Sequence, residues 1–196
     1  MLFKSHNRYS IYMKDILILY YSKNDSTKKM ARAISRGIES VPNISSVIRT
    51  VKSKNYKESD DLLVTKEDLK SCSGIIIGSP THFGNMAAPL KEFFDNTTEE
   101  WLNNTLENKL GGVFTSTSSM HGGQETTLLS MMLPLLHHGM IIAGVPYSEK
   151  NLASTKSGGT PYGPTHVSHN HLIDLTEEEK IICLTYGKDL QTLLVI

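Results

Sequence analysis

The sequence predicts a doubly wound α/β domain, a five-stranded parallel sheet in the order 2-1-3-4-5 with helices on both faces. Three observations predict it. Continuous apolar runs recur at Asp15-Ile16-Leu17-Ile18-Leu19-Tyr20-Tyr21, Gly74-Ile75-Ile76-Ile77 and Gly112-Val113-Phe114-Thr115, as strands buried on both faces require. Between them stand stretches with helical spacing. Each run empties into a polar loop rich in Gly, Ser or Thr. Right-handed crossovers leave 2-1-3-4-5 as the economical order.

The elements follow in turn. Residues 28–40 place Met30, Ala31, Ile34 and Ile38 on one helical face. Ser45-Ser46-Val47-Ile48-Arg49-Thr50-Val51 alternates enough for a strand near the sheet edge. Residues 52–70 are charged and loop-like, with room for a short helix at 66–70. After the Ile75-Ile76-Ile77 strand, Ala87-Ala88-Pro89-Leu90 opens a helix with its proline in the first turn. Residues 110–116 form the fourth strand. Residues 125–138 are helical and end at Gly139, and residues 140–145 read as the fifth strand. Residues 151–174 are a long Gly, Pro, Ser and His loop, a length that is usually functional. Thr176-Glu177-Glu178-Glu179 caps a last helix, its acids favoured by the helix dipole.

Composition narrows the function. Twenty Lys and Arg balance 20 Asp and Glu, so no strong field favours nucleic acid, an anionic membrane, or docking through an acidic face. Cys72 and Cys183 form no C-x-x-C pair and fit a reducing cytosol, so the expected location is cytoplasmic. Cys72 reads as a core thiol. No run reaches the roughly 18 apolar residues of a membrane span; the nearest, 133–145, is broken by Pro134, His137-His138 and Gly139. Residues 1–12 lack an apolar run for a secretory leader and read as a weakly ordered extension, or as an upstream start choice, ahead of a domain over 13–196.

The loops after strands one, three and four leave the sheet at one edge, where such folds place their ligands. The first, Ser22-Lys23-Asn24-Asp25-Ser26-Thr27, leads into a helix N-terminus that can cradle a phosphate. It carries neither the Walker pattern nor the dinucleotide glycines. The second, Pro80-Thr81-His82-Phe83-Gly84-Asn85, combines polar contacts with a flat apolar wall. The third, Ser116-Thr117-Ser118-Ser119-Met120-His121, is again rich in hydroxyls. Together they describe a site for a phosphorylated flat ligand, and flavin mononucleotide (FMN) fits.

At these residues the chain resembles the WrbA-type NAD(P)H:quinone oxidoreductases of the flavodoxin-like superfamily. The resemblance runs from about Met13 to the C-terminus. It rests on Tyr20-Tyr21-Ser22, Met30-Ala31-Arg32-Ala33, residues 78–86, Gly111-Gly112-Val113-Phe114-Thr115-Ser116-Thr117, His121-Gly122-Gly123-Gln124-Glu125-Thr126-Thr127, His137-His138-Gly139-Met140 and Gly158-Gly159-Thr160-Pro161-Tyr162-Gly163. It implies an FMN-dependent oxidoreductase that takes a hydride from NADH or NADPH and passes two electrons to a quinone, with no side chain required as nucleophile or obligatory acid. The resemblance places the phosphate on residues 22–27 and the isoalloxazine on Thr81, His82, Phe83 and residues 116–121. It places His137 along the ring and Trp101 at a substrate pocket completed by neighbouring subunits of a homotetramer. Three positions depart from the family pattern. Asn24 stands where many members carry a nicotinamide-associated aromatic, Asp25 where many carry glycine, and His82 where arginine is usual. Asp tolerates the left-handed backbone, but its carboxylate would oppose a phosphate unless turned outward.

Other readings carry less. His166-x-x-His169-x-His171 has ligand-like spacing but no Cys partner, so no metal is expected. His137 at a helix end also suits the dipole alone. Ser116 with His121 lacks the G-x-S-x-G elbow of a hydrolase. The remaining alternative to the enzyme is a non-catalytic or regulatory FMN-binding protein on the same scaffold.

Overall fold

The computed structural model describes residues 14–54, 56–57, 61–168 and 174–194. The expected extension over residues 1–12 lies outside them. The elements are β1 (Lys14–Tyr20), α1 (Ser26–Glu39), β2 (Ile44–Thr50), α2 (Lys66–Ser71), β3 (Gly74–Pro80), α3 (Ala88–Asp95) and α4 (Thr98–Leu102). They continue as β4 (Leu110–Thr117), α5 (Gln124–His137), β5 (Ile141–Ile142), α6 (Lys150–Ser154), β6 (Thr165–Val167) and α7 (Glu177–Thr192). All strand pairs are parallel and the order is β2-β1-β3-β4-β5, as the sequence predicts.

Alternation along β1 divides the core between the two faces of the sheet. Ile16, Ile18 and Tyr20 pack with Met30, Ala31, Ile34 and Ile38 of α1 and with Ile182, Cys183 and Tyr186 of α7. Leu17 and Leu19 pack with Leu69 of α2, Leu90 and Phe94 of α3, and Leu128, Met131 and Leu135 of α5. Cys72 is buried, as expected, and burial pushes its thiol up to about 11. The helix ends follow the sequence signals. Thr65 and Asp68 form a capping box on α2, Pro89 sits in the first turn of α3, and Gly139 takes a left-handed φ of 75° after α5.

The fifth strand differs from expectation. Of residues 140–145, Ile141–Ile142 pairs as a strand, against Leu110 and Gly111. The chain then leaves the sheet, Val145 N–H donating to the Pro161 carbonyl. Beside the upper half of β4 the place is taken by β6, where Thr165, His166 and Val167 pair with Thr115, Ser116 and Thr117. The stretch read as one loop over 151–174 therefore holds part of α6 and all of β6, with residues 169–173 outside the description. The gap between β5 and β6 would orphan the Val113 N–H. Tyr186 fills it: its hydroxyl accepts from Val113 N (3.1 Å) and donates to the Ala143 carbonyl (2.9 Å). Among the described residues no helix is long and apolar enough to cross a membrane.

Candidate functional site

The loops after β1, β3 and β4 meet at the carboxyl edge of the sheet around a cleft of about 710 Å³. The first loop contributes Ser22, Lys23, Asn24, Ser26 and Thr27, and the second Pro80, Thr81 and His82. The third contributes Ser116, Thr117 and Ser118. The floor is a hydroxyl pair, Thr27 Oγ1 and Ser116 Oγ, 2.9 Å apart and buried, joining the first turn of α1 to the end of β4.

The amino end of α1 is built for an anion. Among the described residues no side chain caps it and its first turn carries no acid; Ser26 N–H bonds the Asn24 carbonyl (2.9 Å), and the positive dipole end lies at Ser26 and Thr27, which line the cleft. Ser22 Oγ, at the mouth of this turn, is buried with no hydrogen-bond partner among the described residues. Asp25 takes the left-handed conformation that Asp tolerates, with φ 63°. It lines a small recess behind the turn with Tyr21, Lys28 and Ser53, not the cleft itself.

Phe83 is fully exposed at the tip of a two-residue turn in which Phe83 and Gly84 both have positive φ, 52° and 75°. The turn is closed by two backbone bonds, His82 N to Asn85 O (2.9 Å) and Asn85 N to His82 O (3.1 Å). A left-handed aromatic is strained, and such strain collects at functional sites. The third loop braces the turn: Gly123, at φ 92°, lies so close that a Cβ there would sit 3.0 Å from Gly84 Cα. Phe83, Gly84, Ser119 and His121 belong to these rim loops without lining the cleft.

Trp101 and His137 lie together in a second cleft of about 650 Å³ between α3, α4 and α5, with Asn85 and Met86 on its wall. Trp101 Nε1 donates to the His137 carbonyl (2.9 Å), and the half-exposed Trp101 lines this cleft together with Leu133 and Pro134. At the back, Thr97 Oγ1 and His138 Nε2 are 2.9 Å apart, and burial holds the His138 imidazole below its usual range. The β3–α3 loop stands between the clefts, with Pro80 to His82 in one and Asn85 and Met86 in the other.

The chain matches the model of the NADPH-dependent FMN reductase family over residues 15–151. The chain belongs to that family. It is 38% identical over 170 residues to an NAD(P)H dehydrogenase (quinone) of Solidesulfovibrio magneticus, covering 79% of this chain and 84% of the relative. It is 40% identical over 169 residues to one from Chromohalobacter salexigens, covering 80% and 84%. Its fold matches a WrbA-like flavodoxin from Agrobacterium tumefaciens with a TM-score of 0.71 at 19% identity, over 92% of this chain and 96% of that one.

This FMN reductase family member has residues that fit the cofactor. The unpartnered Ser22 hydroxyl and the uncapped α1 turn suit a phosphate, and the hydroxyls of Ser26, Thr27 and Ser116 can donate beside them. One lining residue escaped sequence reasoning. Ser168, directly after β6, reaches the cleft with its N–H and hydroxyl both bonded to the Thr117 carbonyl (2.8 and 3.1 Å). A three-residue strand carries no periodicity that could have announced it. Of the histidines with metal-like spacing, His166 bonds Glu179 at 2.7 Å, while His169 and His171 lie outside the described residues. The described residues hold no cluster of three or more metal-ligating side chains.

Proposed function

We propose that this protein is an FMN-dependent NAD(P)H:quinone oxidoreductase. The observation that carries the reading is the cleft at the sheet edge, where a bare helix N-terminus and the unpartnered Ser22 hydroxyl meet Ser116, Thr117 and Ser118. Family membership and two relatives named NAD(P)H dehydrogenase (quinone) support it. FMN, when bound, supplies the two-electron chemistry between the reduced nicotinamide and the quinone.

The chain's own residues bind and orient. Ser22, Ser26 and Thr27, with the first-turn N–H groups of α1, hold the phosphate, and Lys23 adds positive charge at the rim. Thr81, His82 and Phe83, with Ser119 and His121 on the facing loop, border the ring. Asn24 stands where the nicotinamide approaches and offers an amide rather than a stacking face. Nicotinamide and quinone use one opening in turn, so the kinetics are ping-pong.

Trp101 and His137 reach the flavin of a neighbouring copy in a homotetramer. Two features support this arrangement. Leu129, Leu133 and Leu136 form an exposed apolar stripe along α5 that runs into the Trp101 cleft. Phe83 also stands fully exposed on a braced turn. Two free buried thiols, Cys72 and Cys183, suit the reducing cytosol.

Steady-state oxidation of NADH or NADPH with benzoquinone, after FMN is added, tests the function. Turnover is expected. A bound-flavin spectrum without turnover would favour a non-catalytic flavin-binding protein.

A further inference from the structure

Glu179 sits in the first turn of α7 with none of its surface exposed, and its two carboxylate oxygens accept five hydrogen bonds. Oε2 takes the Thr176 N–H (2.9 Å), and Glu179 N–H returns a bond to Thr176 Oγ1 (3.2 Å), which together make a capping box. A cap needs no more than that. Oε2 also binds His166 Nδ1 (2.7 Å), and Oε1 takes Ser157 Oγ (2.8 Å), Gly158 N–H (2.8 Å) and Val167 N–H (3.0 Å). All four of these donors lie on the segment entering β6 or on β6 itself, and none of the four belongs to the helix being capped.

Gly158 is required for the approach. A Cβ there would stand 2.0 Å from the Thr165 carbonyl and 2.7 Å from Glu179 Oε1. The His166 ring is 1% exposed, and its other nitrogen, Nε2, is buried without a partner among the described residues. By register, His166 pairs with Ser116, so both side chains leave the sheet on the face of α1 and α7. Ser116 is the residue that touches Thr27 on the floor of the cleft. Val167, whose N–H is held by Glu179, is followed at once by Ser168, which lines the cleft and bonds Thr117.

We propose that Glu179 is a positioning residue for the cofactor's phosphate: its buried carboxylate fixes β6 against β4, and so sets Ser168 and the residues from Ser116 to Ser118 as one wall of the cleft. The proposal rests on the FMN reading above. It assigns the carboxylate no contact with the flavin. Its effect reaches the ligand through His166, Val167 and Ser168.

The test compares FMN with riboflavin, which lacks the phosphate, by titrating wild type and Glu179→Gln and following flavin fluorescence. Tyr186→Phe serves as a control that loosens the same helix away from the cleft. Wild type is expected to prefer FMN, and Glu179→Gln to lose on the order of tenfold of that preference with riboflavin affinity little changed. Tyr186→Phe is expected to keep the wild-type preference at a similar loss of melting temperature. Amide hydrogen exchange of the apo variant should show lost protection at residues 165–168 and 116–118, with β1 and β2 unaffected. If Glu179→Gln does not fold, His166→Leu removes one of the donors and should lower the preference by about threefold. A preference unchanged in these variants, with tight FMN binding by wild type, overturns this proposal alone. Wild type that binds neither flavin overturns the cofactor reading and this proposal with it.

Discussion

Thr27 Oγ1 and Ser116 Oγ lie 2.9 Å apart beneath the loops that meet at the sheet edge, each in a residue less than 5% exposed. Residues from two crossovers are thereby locked into one cleft floor. Either hydroxyl alone would be a buried polar group without its partner, which costs about 1–3 kcal/mol. Thr27→Val or Ser116→Ala singly should therefore lower stability by that order. The double variant should be more stable than the two losses summed, because no orphan remains. FMN affinity should fall in all three. Urea melts on the single and double variants, with flavin titrations beside them, check both halves.

Tyr186 closes the gap in the fifth strand. Tyr186→Phe leaves the Val113 N–H and the Ala143 carbonyl without their shared hydroxyl. A loss of about 1–3 kcal/mol is expected, which for a domain of this size lowers the melting point by roughly 2–4 °C per kcal/mol. Calorimetry measures it. An unchanged melting point would show that water replaces the hydroxyl.

The strand order and both core faces were legible because β1, β3 and β4 are buried on two sides and so read as unbroken apolar runs. The three loops were legible because their edge follows from the parallel order. What escaped depends on partners distant in sequence. Residues 140–145 look like one strand, yet Ala143 gives its carbonyl to Tyr186 and β6 takes the place beside Thr115 to Thr117. Ser168 was hidden for the same reason. Asp25 could be given a left-handed backbone from residue type, but its place in a recess with Tyr21, Lys28 and Ser53, outside the cleft, depends on residues distant in sequence. Nothing in the spacing of Trp101 and His137 announces the hydrogen bond that joins them in a separate cleft.

Because Asp25 lines the recess and not the cleft, Asp25→Gly should change the FMN dissociation constant by less than about twofold, whereas a carboxylate aimed at the phosphate would cost several-fold. Isothermal titration of FMN into wild type and variant decides between them.

Acid stability should depend on Glu179. Burial pushes its carboxyl up, but the bond and charge of His166 with the N–H groups of Thr176 and Val167 outweigh it and hold it down at about 2, against an ordinary value of 4.5. A depressed folded value gives stability that is fully present above pH 4.5 and is lost as pH falls toward 2. Wild type should lose stability across that window with a slope of up to about 1.4 kcal/mol per pH unit from this group, and Glu179→Gln should show a shallower slope. Denaturant melts from neutral pH down to the acid limb read it. Equal slopes would mean that Glu179 gains nothing from its partners.

Trp101 offers a flat face worth about 0.5–1.5 kcal/mol beyond area burial to an aromatic ring. Trp101→Ala should raise the Michaelis constant for quinone by roughly two- to tenfold and leave FMN content nearly unchanged, the pattern of lost ground-state binding. Light scattering on the same variant shows whether its exposed face also holds copies together. Flavin loss with an unchanged assembly would place Trp101 beside the cofactor of its own chain.

In the proposed function, this cleft holds FMN and the bound flavin passes electrons from nicotinamide to quinone. The most direct test separates the half-reactions: FMN-loaded protein is mixed anaerobically with NADH or NADPH, freed of nucleotide, and then mixed with benzoquinone. The oxidised-flavin absorbance is expected to disappear in the first step and return in the second, with one quinone consumed for each flavin. Protein that retains FMN but whose absorbance is unchanged by either nicotinamide would contradict it.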